Sequence, residues 1–244
     1  MPRRRAPAAR WLAVAVVTLL AAGCAPQSVT EEGRAIYNLY NLFLYIAAVV
    51  FVVVSGLVIW SVIRYRRRDD ELPKQTHGNN RLELAWTLIP TVIVLVLFGF
   101  TLQAQDKVLD QSGQADVNVT VTAFQWSWRF TYEDTGAEVL GSPGTIPELV
   151  VPVGQTIRVK LVSADVVHSF YVPQTLFKRQ AIPGTENEFD LTFEKVGLYH
   201  GQCTQFCGLQ HPDMILRVRV VNQGQYQSWL AAESRRGAAG QPGT

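Results

Sequence analysis

Two stretches without a single charged side chain constrain this chain more than any other feature. They run from Leu39 to Ile63, "LYNLFLYIAAVVFVVVSGLVIWSVI", and from Leu84 to Leu102, "LAWTLIPTVIVLVLFGFTL". The hydrocarbon core of a bilayer is about 30 Å thick and asks for about 20 apolar residues in a helix. Both stretches meet that length. With no water in the core to satisfy backbone groups, both must be helical. Pro90 in the second span kinks it or is relieved by a neighbouring helix. Tyr37, Tyr40, Trp60, Tyr65 and Trp86 sit at the span ends, where amphipathic rings belong.

The connection between the spans carries Arg64, Arg66, Arg67, Arg68, Lys74 and Arg81. Cationic loops stay on the cytoplasmic side, so everything after about Gln103 lies outside. The N-terminus agrees independently. "MPRRRAPAARWLAVAVVTLLAAGC" has an arginine-rich start, an apolar run too short to span, and small residues before Cys24. This is the grammar of a bacterial secretory signal over residues 1–23. Its "LLAAGC" ending looks like a lipoprotein signal that leaves Cys24 lipidated as the mature N-terminus. Ordinary cleavage and an uncleaved anchor are the alternatives.

Residues 24–102 therefore form a transmembrane helical hairpin, and 103–222 an exported domain. Segments such as "DVNVTVTAFQWSWRFTY" and "ELVVPVGQTIRVKLVSA" alternate apolar and polar residues between Gly, Pro and Asp punctuation. Several such strands in little more than a hundred residues predict an all-β Greek-key sandwich or barrel. Trp126 and Trp128 alternate with Phe124 and Phe130, reading as one stripe of a strand. The tail over 223–244, small and polar in "SRRGAAGQPGT", is expected to be flexible. The whole chain has a formal net charge of +2, but 103–222 holds thirteen Asp/Glu and nine Lys/Arg, a net of −4. That acidic surface is either ordinary solvated surface or one that attracts a basic soluble partner, and a membrane rather than a nucleic acid is the other expected contact.

The chain has three cysteines. With Cys24 assigned to lipid, Cys203 and Cys207 are left with each other in "GQCTQFCGLQHPDM". A short disulfide is the simple reading in an oxidising compartment, yet it gives no reason for His211 and Met214 just beyond. Structural zinc takes four Cys or His ligands and does not use methionine. Thiolate, imidazole and thioether together suit copper. "DVVHSFYVP" supplies a second imidazole, His168, at a strand start. That is a blue-copper arrangement with one cysteine too many, and two cysteines can bridge two copper ions.

The C-x3-C-x3-H-x2-M loop with the upstream "DVVHSFYVP" resembles the binuclear CuA site of the cytochrome c oxidase subunit II family. "HGNNRLELAWTLIP", "AFQWSWRFTY" and "FKRQAIPG" match further segments of that family in order. The resemblance implies a membrane-anchored, cupredoxin-like domain in a bacterial plasma membrane, two-pass, with the copper domain on the periplasmic side. It implies that Cys203 and Cys207 bridge two coppers, that His168 and His211 bind one each, and that Met214 and the backbone carbonyl of Gln205 are weak ligands. Trp126 matches the tryptophan through which electrons enter from cytochrome c, and Glu83 the glutamate at the mouth of a proton channel in the catalytic subunit. The implied partners are subunit I, which holds haem and reduces oxygen while pumping protons, subunit III, and cytochrome c. The complex is then a proton-translocating oxidoreductase.

Two departures bear on this. The family usually has glutamate where this chain has Gln205, which puts a magnesium ion at the subunit I interface in doubt, since a neutral amide is a poor ligand for a hard cation. There is no C-x-x-C-H sequence, so no cytochrome c domain is fused to the chain. A CuA subunit of a nitric oxide reductase, or a tethered copper-delivery protein, remain the alternatives. His200, three residues before Cys203, is expected at the surface, and Asp213 either tunes the site or is solvated.

Overall fold

The structure, a computed structural model, describes residues 27–67, 75, 77–111, 113–142 and 144–240. The expected signal peptide, the expected lipidation at Cys24, and Arg68 and Lys74 of the basic loop lie outside the described residues.

Two long helices come first, α1 (Glu31–Arg64) and α2 (Asn80–Leu109). At 1.5 Å per residue they reach about 51 and 45 Å, well beyond the two apolar stretches. The additional turns are polar and capped. Thr30 Oγ1 accepts from the N–H of Gly33 at 3.2 Å, and Asn79 Oδ1 from that of Leu82 at 3.2 Å. Helix α2 runs through Pro90 without interruption. None of the most apolar stretch of either helix is buried within the chain, as lipid-facing or partner-facing surface requires.

Ten strands follow: β1 (Val117–Phe124), β2 (Ser127–Tyr132), β3 (Glu138–Leu140), β4 (Glu148–Pro152), β5 (Thr156–Ser163), β6 (His168–Val172), β7 (Phe177–Ala181), β8 (Asn187–Thr192), β9 (Gly197–Cys203) and β10 (Ile215–Val221). They form two five-stranded sheets, ordered β3-β2-β1-β5-β8 and β4-β10-β9-β6-β7. The pairs β1·β5 and β4·β10 are parallel and the rest antiparallel. The result is the β-sandwich that the strand pattern predicts, in the cupredoxin-like form that the family resemblance implies. In β1, Val117, Val119, Val121 and Ala123 are buried while the residues between them are not. That period of two sends one face into the core. Trp128, Phe130, Phe170, Leu161 and Leu216 fill the space between the sheets, each large apolar side chain contributing about 1.5–3 kcal/mol by its burial.

Two expectations change here. The aromatic stripe is broken: Phe124 pairs with Ser127, so Gln125 and Trp126 form the two-residue turn of a β1–β2 hairpin. Trp128 goes into the core, fully buried, and Trp126 stays at the end of the sandwich, half-buried. Beyond residue 222, where the sequence suggests a flexible tail, the chain forms helix α3 (Gln223–Gly240). Tyr226 and Trp229 pack on Tyr132 with ring centroids 6.5 and 5.1 Å away. Tyr226, Trp229 and Leu230 fall at helical i, i+3, i+4 spacing, a signal diluted by the small polar residues around it.

The hairpin is fastened to the sandwich beside the strand that carries His168. Val29 donates to the carbonyl of Gln174 at 3.0 Å and accepts from the N–H of Glu194 at 2.9 Å. The N–H of Thr192 donates to Glu32 Oε2 at 3.2 Å, and Arg34 pairs with Glu194. Gly33 is required at this junction, because a Cβ there would run into the carbonyl of Thr175.

Candidate metal centre

Three pieces of backbone meet at one end of the sandwich: the start of β6, the loop from β9 to β10, and the β1–β2 turn. The loop is closed by the N–H of Cys203, which donates to the carbonyl of Met214 at 2.9 Å. It is tied to β6 by Thr204 N–H on the carbonyl of Ser169 at 3.3 Å. A single 3-10 turn over His211–Asp213, with Pro212 early in it, turns the chain back towards β10. These local bonds bring residues spaced over twelve positions onto one centre.

Cys203, Cys207, Met214 and His168 are all buried, and His211 is half-buried. The two sulfurs are 3.9 Å apart and both cysteines are free. A disulfide would need about 2.05 Å, so the short-bridge reading does not describe this state. His168 Nδ1 lies 3.9 Å from Cys203 Sγ, and His211 Nδ1 lies 3.5 Å from Cys207 Sγ. Met214 Sδ is 3.8 Å from Cys207 Sγ, and the carbonyl oxygen of Gln205 is 3.2 Å from Cys203 Sγ. Every residue expected in the metal set is therefore brought together, each aiming a donor atom inwards. The ligand atoms of His168, Cys203 and Cys207 lie within 4.8 Å of one another.

The electrostatics suit a cation. Burial pushes the Cys203 thiol up, but His168 and the backbone at Gln205 and Ser169 outweigh it and bring the group down to about 6. Burial and the neighbouring Cys203 sulfur push Cys207 up to about 12. The pair thus holds one thiolate readily and its second only with a compensating positive charge. Burial alone would lower His168, yet Cys203 and Asp165 raise it above the ordinary histidine value.

Asp165 is a functional neighbour that the sequence reading missed. Its Oδ1 lies 2.7 Å from His168 Nε2, which leaves Nδ1 to face the sulfurs. Burial raises its carboxyl, but the bonds from His168, Gln125 and Val166 hold it below the usual carboxylate value. A carboxylate behind a metal-facing imidazole fixes the tautomer and ring orientation. An acid three residues before a candidate ligand histidine was the available signal.

The donor set fits copper. Two thiolates, two imidazoles and a thioether are soft and borderline donors of the kind copper takes. The sulfurs stand closer than twice a metal–sulfur bond of about 2.3 Å, so one ion can touch both. The fit to magnesium is poor. The side chain of Gln205 meets the Gln180 amide at 3.4 Å, and Lys178 donates to the neighbouring carbonyl of Thr204 at 3.4 Å. A neutral amide beside an ammonium is no seat for a hard dication.

The other singled-out residues lie elsewhere. Trp126 reaches the centre from the hairpin turn, its Nε1 donating to the carbonyl of Cys207 at 3.2 Å. Glu83 is exposed in the first turn of α2, where its carboxylate accepts from the N–H of Asn79 at 3.4 Å. That bond gives it a capping role at the helix start. His200 is exposed on β9 and Asp213 is exposed beside Met214.

Comparisons with known proteins place the chain in a family. The family described as "Cytochrome C oxidase subunit II, periplasmic domain" matches residues 144–221, and "Cytochrome C oxidase subunit II, transmembrane domain" matches residues 24–103. The chain is 33% identical to "Probable cytochrome c oxidase subunit 2" of Streptomyces avermitilis, over 98% of this chain and 91% of that one. It is 30% identical to cytochrome c oxidase subunit 2 of Mycobacterium bovis, over 84% and 73%. The crystal structure of the periplasmic domain of subunit II of cytochrome oxidase of Bradyrhizobium japonicum is 33% identical with a TM-score of 0.48, covering 52% of this chain and 99% of that one. The chain belongs to the cytochrome c oxidase subunit II family and is part of an oxidoreductase complex.

Proposed function

We propose that this subunit takes electrons from cytochrome c at a binuclear CuA centre and hands them to haem in subunit I. The observation that carries the reading is the pair of free, buried sulfurs 3.9 Å apart, flanked by one imidazole on each side. Cys203, Cys207, His168 and His211 would hold the copper as its principal ligands, with Met214 and the Gln205 carbonyl as weaker donors. When bound, copper would supply a one-electron carrier there. The protein's part is to hold these six donors in place, to exclude water by burying the sulfurs, and to fix His168 through Asp165.

Trp126 is the entry residue in this reading, supported by its place at the exposed turn and its bond to the backbone of a ligand cysteine. Glu83 stands at the cytoplasmic mouth of a proton path in subunit I, and subunit III completes the complex. The copper domain faces the periplasm of a bacterial cell, with Cys24 lipidated, and Gln205 offers a neutral amide, a poor ligand for magnesium, at the subunit I interface.

The test is Trp126→Ala in the purified complex. Copper content and spectrum stay as they are, and reduction by cytochrome c slows by orders of magnitude. Wild-type rates, or loss of copper, make that aromatic a packing residue.

A further inference from the structure

The turn that carries Trp126 is held by a set of hydrogen bonds that copper ligation does not require. Gln125 donates from its side-chain Nε2 to the carbonyl of Cys207 at 2.7 Å, and the Trp126 indole donates to the same oxygen at 3.2 Å. A carbonyl oxygen has two lone pairs, so both bonds are satisfied. The backbone N–H of Gln125 donates to Asp165 Oδ2 at 2.7 Å. The other oxygen of Asp165 is the one facing His168 Nε2. A closed path therefore runs from His168 through Asp165 and Gln125 to the backbone of Cys207, with the indole resting on its last member.

Gly208 makes this approach possible. Its φ is +121°, and a Cβ built there would lie 3.0 Å from Gln125 Nε2 and 3.2 Å from both Cζ2 and Nε1 of Trp126. Glycine adopts that backbone without the cost other residues meet, and it leaves the space the indole fills. Simple bracing of a loop explains this less well. Gln125 is exposed, so packing does not place its side chain. A net hydrogen bond of about 0.5–1.5 kcal/mol adds little to the stability of a domain with this core. What the bonds do define is where the indole stands.

We propose that Gln125, Asp165 and Gly208 are positioning residues for electron entry, seating the Trp126 indole on the Cys207 carbonyl and tying that seat to His168. The proposal rests on Trp126 being the entry point. One electron would leave the reduced haem of a c-type donor, which is oxidised, pass the indole, and reduce the oxidised copper that Cys203 and Cys207 would hold, the sulfurs keeping their own oxidation state. No proton moves and no covalent bond forms or breaks. The single hydrogen bond from indole N–H to a ligand's own backbone is the contact that the three residues keep short.

The experiment uses the purified complex with Gln125→Ala, Gln125→Glu and Asp165→Asn, beside Trp126→Ala. Each is reduced by a soluble c-type cytochrome and by a small inorganic complex that needs no docking site. Both Gln125 variants keep two coppers and the wild-type spectrum. Both are reduced by the cytochrome roughly 10- to 100-fold more slowly, the cost of misplacing a reacting group by about 1 Å. Their rate with the small reductant is unchanged. Glutamate has the size of glutamine but sets a carboxylate against the carbonyl, so it is as slow as alanine; a packing role would leave it at the wild-type rate. Asp165→Asn is slowed as well, and its copper potential rises because a negative charge beside His168 is gone. Gln125→Ala at the wild-type rate while Trp126→Ala is slow would overturn the proposal and leave Trp126 as the entry point. Loss of copper in Gln125→Ala overturns it too, making the residue a brace of the ligand loop. A wild-type rate in Trp126→Ala removes the entry reading itself.

Discussion

Replacing Met214 by leucine separates the two jobs this side chain holds. Met214 is fully buried, and its Sδ lies 3.8 Å from Cys207 Sγ, so it packs in the core and points a thioether at the centre. Leucine nearly conserves the volume, and such swaps cost less than about 1.5 kcal/mol. Alanine would leave a cavity costing about 2–5 kcal/mol. Against a typical domain stability of about 5–15 kcal/mol, Met214→Leu stays folded and only the sulfur donor is lost. Denaturant titration of the metal-free, detergent-solubilised chain measures the first quantity, and redox titration of the copper-loaded chain the second. The account expects a small loss of stability, both coppers retained, and a shifted potential, because a weak donor that tunes the metal has gone. An unchanged potential would show that Met214 only packs. Loss of all copper from a folded variant would show that it is a principal ligand, and either result refutes the weak-donor assignment.

Copper affinity weakens as pH falls below about 12, because Cys207 must give up its proton to bind, and it weakens more steeply below about 6, where Cys203 is protonated as well. The depressed Cys203 also stabilises the metal-free fold above the ordinary thiol value of 9.0, a contribution lost as pH falls through about 6. Competition against a copper chelator at pH 8 and pH 5 reads the affinity, and equal affinities contradict the prediction. Trp229→Ala lowers unfolding stability by about 1–3 kcal/mol, combining the aromatic pair with Tyr132 and part of an indole's burial. Its copper spectrum is unchanged, since α3 packs on Tyr132 and supplies no donor to the centre; a variant as stable as wild type would mean that α3 adds nothing to the fold.

What the sequence made legible follows from distance along the chain. The two membrane helices are local patterns of composition, and five of the six expected metal residues share one loop, so both could be read from short windows. His168 was legible because a second imidazole was chemically required and few histidines were on offer. The positioning groups were not. Asp165, Gln125 and Gly208 are ordinary residues in their own segments, and only the folded contacts between β6, the β1–β2 turn and the ligand loop give them a purpose. Trp126 and Trp128 read as one stripe because period-two alternation continues across a two-residue turn. Helix α3 was hidden for the opposite reason, three apolar contacts diluted among small polar residues.

Counting the metal in the purified complex and recording its electron paramagnetic resonance tests the central claim most directly. The account predicts two coppers on this chain sharing one unpaired electron equally, with the shared signal abolished in Cys203→Ser and in Cys207→Ser. A single zinc, a single copper with a localised electron, or a Cys203–Cys207 disulfide in the copper-loaded complex would contradict it.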